Sequence, residues 1–176
     1  MRPRRHVLPD LLAPGLRVVF CGSAVGAASA RAGAPYAKPG NKFWPTLHAV
    51  GFTPRRFAPE DWRGLLALGI GLTDINKTQS GNDTDLAAEH DDPAALARKI
   101  GRFRPAVLAF TAKRPAGVFL RAHFGTRAPP PYGLQPERFG DTRIFVLTSP
   151  SGRAGSFWTV EPWRALKALC DTAPPR

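Results

Sequence analysis

The chain has 176 residues, which is enough for one domain with a sizeable core and too short for two ordinary ones. Its 25 lysines and arginines exceed its 13 acidic residues, and the resulting net charge of +12 favours a polyanionic partner such as nucleic acid. A GC-rich genome alone produces a similar arginine bias, so charge does not decide the partner. No apolar stretch approaches the roughly 20 residues of a membrane span, and no secretory signal is recognisable at the amino terminus, so we expect a cytoplasmic protein.

Four short apolar runs are typical of buried parallel strands, and helical sequence follows each of them. The predicted strands cover residues 16–21, 70–73, 106–110 and 143–147. The predicted helices cover residues 42–50, 59–68, 92–102, 113–124 and 159–169. The segments 77–92 and 127–133 are expected to be irregular. This alternation predicts a single domain over residues 1–176, an α/β/α sandwich of three layers around a mostly parallel, four-stranded sheet.

Ligands of such folds bind outside the carboxyl ends of the strands, so the informative loops follow Cys21, Thr73, Phe110 and Leu147. The first loop reads GSAVG at residues 22–26. Small residues there let backbone N–H groups approach an anion or a planar ligand. The glycine spacing fits neither a dinucleotide fingerprint nor a phosphate-binding P-loop. A tight turn from strand to helix explains this loop about as well as a binding role.

Three sequence stretches occur in a specific order along the chain. They are residues 9–26, the segment APYAKPGNKFW at 34–44, and the loop SPSG at 149–152. Together they resemble the mismatch-specific uracil-DNA and thymine-DNA glycosylase family of the uracil-DNA glycosylase superfamily. The likeness covers most of the chain. It implies an enzyme that flips uracil, or another deaminated base, out of DNA and hydrolyses the N-glycosidic bond with a positioned water.

The resemblance also implies a base-binding pocket. Tyr36 matches the family's stacking aromatic, although a tyrosine of the core or surface is the alternative. The backbone N–H groups of Ser23 and Tyr36 would hold the carbonyl oxygens of the pyrimidine as negative charge develops on the leaving base. Gly22, Ala24 and Ser29 complete the predicted pocket. Ala24 and Ser29 suggest a roomier pocket than is usual in the family.

Two further loops are expected to contact DNA. Asn41 and Lys42 match positions near the target phosphate, and a helix cap is an equally good role for Asn41. The late loop resembles the wedge that fills the gap left by the extruded nucleotide. Its residues expected at the DNA are Ser149, Ser151, Gly152 and Arg153. The family often has a leucine where Arg153 stands, and an arginine can fill the gap by stacking.

The chain departs from the family at the residue that would hold the attacking water. The family has an asparagine where this chain has Ala24, and alanine cannot orient a water. Asp74, at the carboxyl end of the second predicted strand, is our candidate replacement, because a nearby carboxylate can position water and stabilise an oxocarbenium-like transition state. A turn cap is the alternative role for Asp74. Asn76 is the second catalytic candidate.

Two interpretations of other classes stay open. If Ala24 marks a lost active site, the chain is a catalytically inactive, glycosylase-derived module that binds DNA. A small-molecule α/β enzyme is the other alternative, and it would bind DNA weakly and without salt dependence. Only Cys21 and Cys170 are present, too few for a four-cysteine cluster. The glycosylase resemblance implies a monomer that acts on DNA without a metal or a cofactor.

Overall fold

The computed structural model describes residues 5–172 and contains a five-stranded sheet with the strand order β2-β1-β3-β5-β4. The strands are β1 (Val18–Gly22), β2 (Ile70–Asp74), β3 (Val107–Phe110), β4 (Gly133–Phe139) and β5 (Thr142–Val146). All neighbouring pairs are parallel except β4 with β5, which is antiparallel. This arrangement confirms the predicted α/β class and the mostly parallel sheet.

Helices connect consecutive strands except β4 and β5, which follow one another directly. The α-helices are α1 (Ala27–Ala32), α2 (Phe43–Ala49), α3 (Pro93–Phe103), α4 (Lys113–Phe124) and α5 (Glu161–Thr172). The 3-10 helices are Pro59–Leu68, Asp83–Asp85, Ala88–His90 and Gly152–Phe157. Within residues 5–172, no helix combines the length and apolar character that crossing a bilayer requires.

The two faces of the sheet pack against different helices, which gives the three layers. On β1, Val18 and Phe20 join one buried cluster with residues of α2, α5 and the helix Pro59–Leu68. Val19 and Cys21 belong to the opposite cluster, with residues of α3 and α4. Successive side chains of a strand point to opposite faces, so a strand buried on both sides is apolar at every position. This is the continuous pattern that predicted the parallel strands.

The expectation of four strands was wrong, because β4 adds a fifth at the edge of the sheet. Leu134 of this strand is 51% exposed, and the burial of its residues follows no continuous apolar run. Pro136 also argues against a strand, but a proline is tolerated where one side of the strand has no partner. The predicted irregular segment 127–133 therefore ends in the first residue of β4.

An extended segment before β1 lies along the outer side of β2. Leu11 and Leu72 exchange two backbone hydrogen bonds, each 2.9 Å long. The approach is so close that a Cβ on Gly71 would lie 2.7 Å from the Leu11 carbonyl oxygen, so only glycine fits. The N–H of Val7 donates to the Lys77 carbonyl over 2.8 Å. These contacts hold the segment at the carboxyl end of β2.

Candidate active site

The loops at the carboxyl ends of β1, β2 and β3 are joined by backbone hydrogen bonds. The Gly22 carbonyl accepts from Ile75 N–H at 3.0 Å, and the Ser23 carbonyl accepts from Asn76 N–H at 2.9 Å. The Cys21 carbonyl accepts from Thr111 N–H at 3.0 Å. The loop after β1 is thereby fixed between the other two, at the edge of the sheet where ligands of this architecture bind.

Three polar side chains meet around the Cα of Gly22. A Cβ built on this residue would lie 2.6 Å from Asp74 Oδ1, 3.4 Å from the Tyr36 hydroxyl and 3.6 Å from Thr111 Oγ1. Only a glycine leaves room for the Asp74 carboxyl at this point. Gly22, Tyr36 and Asp74 were predicted to share a site, and they do lie together. Thr111 completes the group and was not among the predicted residues.

Tyr36 is held in an unusual backbone conformation. Its φ is 52°, in the left-handed region that side chains other than glycine rarely adopt. Its ring stacks on Phe43 with 3.9 Å between ring centroids and 15° between planes. Its hydroxyl donates to Thr111 Oγ1 at 3.5 Å. Burial raises the pKa of Tyr36 above its ordinary value, so the hydroxyl stays neutral.

Ser29 shapes the turn that carries Tyr36. Its Oγ accepts from Ala37 N–H at 2.9 Å, and its carbonyl accepts from Ala34 N–H at 3.2 Å. The Pro35 carbonyl accepts from the Trp44 indole N–H at 3.0 Å. Ser29 is 3% exposed, and its hydroxyl is committed to this turn. Ser29 therefore helps to place Tyr36, and its predicted contact with a base stays a prediction.

Asp74 lies beside a buried lysine. The distance between Asp74 Oδ2 and Lys77 Nζ is 3.6 Å, and that between Lys77 Nζ and Asp10 Oδ1 is 3.1 Å. Asp10 Oδ2 lies 2.6 Å from Lys99 Nζ. Burial raises the pKa of the Asp74 carboxyl above its ordinary value, and the positive charge of Lys77 opposes that rise. The carboxyl thus sits where its protonation state depends on its neighbours.

The side-chain amide of Asn76 is hydrogen-bonded within its own turn. It is fully buried, and its Oδ1 accepts from the N–H groups of Thr78 and Gln79 at 3.3 and 3.1 Å. Its Nδ2 donates to Gln79 Oε1 at 2.9 Å. An asparagine bonded in this way organises the turn that follows β2.

The side chains of the loop after β1 differ in whether they present a polar atom to a ligand. Ser23 is 8% exposed, and its Oγ has no hydrogen-bonding partner among residues 5–172. A buried hydroxyl without a partner is costly and is satisfied when a ligand or a water binds it. Ala24 is half-buried and supplies only a methyl group. Val25 fixes the end of the loop, since its carbonyl accepts from Gly81 N–H at 3.0 Å.

The two loops expected at DNA lie side by side. Lys42 N–H donates to the Pro150 carbonyl at 2.8 Å, and a Cβ on Gly152 would lie 3.4 Å from the Gly40 carbonyl oxygen. Asn41 Oδ1 accepts from the N–H of Phe43, the first residue of α2, at 2.9 Å, whereas Lys42 occupies the N-cap position itself. Lys42 Nζ lies 5.5 Å from the centre of the Trp158 ring.

The late loop is built from short-range hydrogen bonds. Ser149 Oγ accepts from Ser151 N–H, and Ser151 Oγ accepts from Arg153 N–H, each at 3.3 Å. Arg153 is exposed. Phe157 is 76% exposed at the end of the same short helix, and the sequence analysis did not single it out. An isolated phenylalanine gives no periodic signal that would separate an exposed position from a buried one.

Asp10, Thr111 and the pairing of Lys77 were also not predicted. Thr111 directly follows a predicted strand, and that position was the available signal. Asp10 lies 64 residues before Asp74 in the sequence, so their proximity arises only when the segment before β1 packs against β2. In the described part of the chain, His, Cys, Asp and Glu side chains form no group of three that could hold a metal ion.

Comparison with known proteins relates this architecture to one family. A model of the family described as the uracil DNA glycosylase superfamily matches residues 9–167. A solution NMR structure of a protein from Methanosarcina acetivorans, provisionally named a uracil DNA glycosylase, superposes with a TM-score of 0.64. The two chains are 23% identical, and the match covers 96% of this chain and 98% of that one. At that identity the likeness supports a shared fold.

Proposed function

The chain belongs to the uracil DNA glycosylase superfamily, whose model matches residues 9–167, and we propose that it excises uracil from DNA and leaves an abasic site. Other deaminated bases of similar size belong to the same proposal. The enzyme would act as a monomer, with water as the nucleophile and without a metal or a cofactor. The observation that carries the proposal is the meeting of Asp74, Tyr36 and Thr111 around the Cα of Gly22.

The proposed pocket receives a base flipped out of the duplex. Phe43 stacks on one face of the Tyr36 ring, and the uracil would stack on the opposite face. The N–H groups of Ser23 and Tyr36 would donate to the carbonyl oxygens of the base, which become negative as the glycosidic bond breaks. The unpartnered Ser23 Oγ supplies a further polar atom at the same loop.

Asp74 is the proposed catalytic residue. Its carboxylate would accept a hydrogen bond from a water molecule and direct the water oxygen at C1′ of the deoxyribose. The electron pair of the glycosidic bond leaves with the base, and the proton of the attacking water passes to Asp74. The negative carboxylate also stabilises the positive charge that develops on the sugar. The alanine at position 24 is compatible with this mechanism because Asp74 approaches from β2.

DNA would cross the two loops that meet at Lys42 and Pro150. Asn41 and Lys42 are proposed to lie near the phosphate of the target nucleotide, and Arg153 to fill the gap in the duplex. Ser149, Ser151 and Gly152 would present the backbone of the late loop to the strand. The direct contact between Lys42 N–H and the Pro150 carbonyl supports one continuous surface.

The test is base release from a labelled oligonucleotide that carries one uracil, opposite guanine or as a single strand, in EDTA. Alkali then cleaves the abasic sites. We expect cleavage at the uracil, and Asp74→Asn should lower the single-turnover rate by roughly 10²- to 10⁴-fold. Asp171→Asn is the matched control. Asp171 pairs with Arg17, which directly precedes β1 and so lies at the amino ends of the strands, away from the candidate site.

Three other outcomes would contradict parts of the proposal. Release at an unchanged rate by Asp74→Asn would remove Asp74 from catalysis. No release from either substrate, with tight and salt-dependent binding of DNA intact, would identify a catalytically inactive DNA-binding module and make Ala24 the reason. Weak binding that does not respond to salt would exclude a DNA substrate altogether.

A further inference from the structure

Lys77 occupies an unusual position for a lysine. Its side chain is 8% exposed and lies between two carboxylates, with Nζ 3.1 Å from Asp10 Oδ1 and 3.6 Å from Asp74 Oδ2. A buried ammonium group is costly unless it is paired. Asp10 and Asp74 supply the pairing, and the shorter distance is to Asp10. The charge of Lys77 is therefore shared between a residue of the proposed catalytic machinery and one outside it.

Asp10 is itself held from three sides. Its Oδ1 accepts from Thr73 Oγ1 at 2.7 Å, and its Oδ2 lies 2.6 Å from Lys99 Nζ on α3. The backbone around it is fixed by the bonds between Leu11 and Leu72. Lys77 is anchored to the same segment through its carbonyl, which accepts from Val7 N–H. The position of the Lys77 ammonium group is thus set by the segment before β1.

We propose that Lys77 is a positioning residue that keeps Asp74 ionised and fixes the direction of its carboxylate, and that Asp10 limits this effect by sharing the ammonium group. The proposal rests on the proposed function of Asp74. A protonated Asp74 cannot take a proton from the attacking water, so base release should fail as pH falls through the pKa of this carboxyl. Burial alone pushes that pKa upward, and Lys77 counteracts burial.

Groups from several elements shift the pKa of Asp74, some upward and some downward. Lys77 and Lys99 lower the pKa of Asp74, whereas burial and Asp10 raise it. Burial keeps the Cys21 thiol and the Tyr36 hydroxyl neutral by raising the pKa of each. His6 lies near Lys77, and burial followed by the charge of Lys77 lowers its pKa. Variants of Lys77 and of Asp10 should therefore displace the titration of Asp74 in opposite directions.

The experiment compares the pH profile of single-turnover uracil release between the unsubstituted chain and five variants. Lys77→Met should move the acidic limb of the profile to higher pH and cut the rate at the acidic end by roughly tenfold or more. Asp10→Asn should move the limb to lower pH, because the ammonium group then serves Asp74 alone. Lys77→Arg, which keeps the charge, should restore most of the low-pH rate. Lys167→Met, which breaks an exposed pair with Asp171, should leave the limb in place.

A limb that stays in place in Asp10→Asn, or moves to higher pH, would overturn the proposal even if Lys77→Met fails to fold. A purely structural role of this cluster would slow both variants at every pH without opposite displacements. His6→Gln separates the titration of His6 from that of Asp74, and a limb displaced as far by His6→Gln as by Lys77→Met would also overturn the proposal.

A second measurement separates this proposal from the proposed function. Carbon-13 NMR of labelled aspartate carboxyls follows the titration of Asp74 directly, with Asp74→Asn identifying its signal. The Asp74 titration should move to higher pH in Lys77→Met and to lower pH in Asp10→Asn, whether or not the chain releases uracil. If those shifts occur without base release, the proposed function fails while the coupling of Lys77 to Asp74 stands. Absence of the shifts refutes the coupling itself.

Discussion

Tyr36 illustrates how single residues are strained at this site. A side chain other than glycine in the left-handed region costs about 1–2 kcal/mol, and such residues persist only where the surroundings enforce them. Here the enforcement comes from the ring of Phe43, the hydroxyl of Ser29 and the indole of Trp44, which bonds the Pro35 carbonyl. These contacts hold the N–H and the ring of Tyr36 in place without a ligand, as the proposed base pocket requires.

Ser23 offers a direct test of base recognition at the residue scale. Its Oγ has no partner within residues 5–172, so Ser23→Ala removes no hydrogen bond from the folded protein. We expect an unchanged or slightly higher free energy of unfolding, since deleting an unsatisfied hydroxyl costs nothing. If the hydroxyl binds the base, uracil release should fall by roughly tenfold, the loss of about one hydrogen bond. Denaturant titration and single-turnover kinetics measure the two effects.

Thr53 provides the matched control for this substitution. It is the other residue of the described chain with a buried, unpartnered hydroxyl, and it lies beyond the end of α2. Thr53→Val should change stability as little as Ser23→Ala does and leave uracil release unaffected. Equal kinetic effects of the two substitutions would mean that Ser23 does not contact the base.

The sequence predicted some of the residues that the structure brings together at the candidate site and missed others. Gly22, Tyr36 and Asp74 were predicted because each falls in a loop at the end of a strand or in a segment that resembles a known family. Thr111 and Asp10 were not, because their contacts with Tyr36 and Lys77 join segments far apart in the chain. Asn76 was a candidate by type and position alone, and no sequence pattern reveals that its amide is already bonded within its own turn.

At the scale of elements, burial determines what the sequence could predict. Strands buried on both faces, such as β1 and β3, were predicted to within two residues of their observed ends. The edge strand β4 was missed because one side of it faces solvent and lacks the apolar repeat. The segment Pro59–Leu68 was predicted as a helix from its proline and acidic first turn, and it forms a 3-10 helix. Its buried residues, Trp62 and Leu65, are three positions apart, a spacing that both helix types place on one side.

The close packing at Gly22, the last residue of β1, leads to a prediction at this scale. Gly22→Ala would place a Cβ 2.6 Å from Asp74 Oδ1, so the Asp74 carboxyl must move. A displacement of about 1 Å at a catalytic group costs roughly 10²-fold in rate, and we expect a loss of that order in single-turnover uracil release. Gly101→Ala is the control, because no atom lies within 4 Å of its Cβ position on α3. An active Gly22→Ala variant would show that Asp74 need not occupy this position.

At the scale of the whole molecule, the net charge of +12 attracts any polyanion, so a defined DNA surface has to be tested at individual basic residues. Lys42 lies at the junction of the two loops proposed to carry DNA, next to Trp158. Each phosphate contact contributes a slope of about −0.9 to the dependence of log K on log salt concentration. Lys42→Ala should therefore weaken DNA binding and reduce the slope by about one unit, as measured by fluorescence anisotropy at several salt concentrations.

Arg102 is the control for this measurement. It lies next to Phe103 at the end of α3, and the Phe103 carbonyl accepts from Gly15 N–H just before β1, so the pair belongs to the opposite edge of the sheet. Arg102→Ala removes one positive charge there and should leave the slope almost unchanged. Equal slopes for the two variants would indicate general attraction by net charge and would contradict a defined DNA surface.

The segment that brings Asp10 to Lys77 has a second consequence, which concerns self-association. An outer strand with free N–H and C=O groups is a template onto which another chain can add, and proteins protect such strands in various ways. The bonds between Leu11 and Leu72 occupy that position on β2, while the edge strand β4 on the far side contains Pro136 and the charged Glu137 and Arg138. Both outer strands of the sheet thereby have features that disfavour pairing with another chain. On the β2 side, that protection comes from the same segment that brings Asp10 to Lys77.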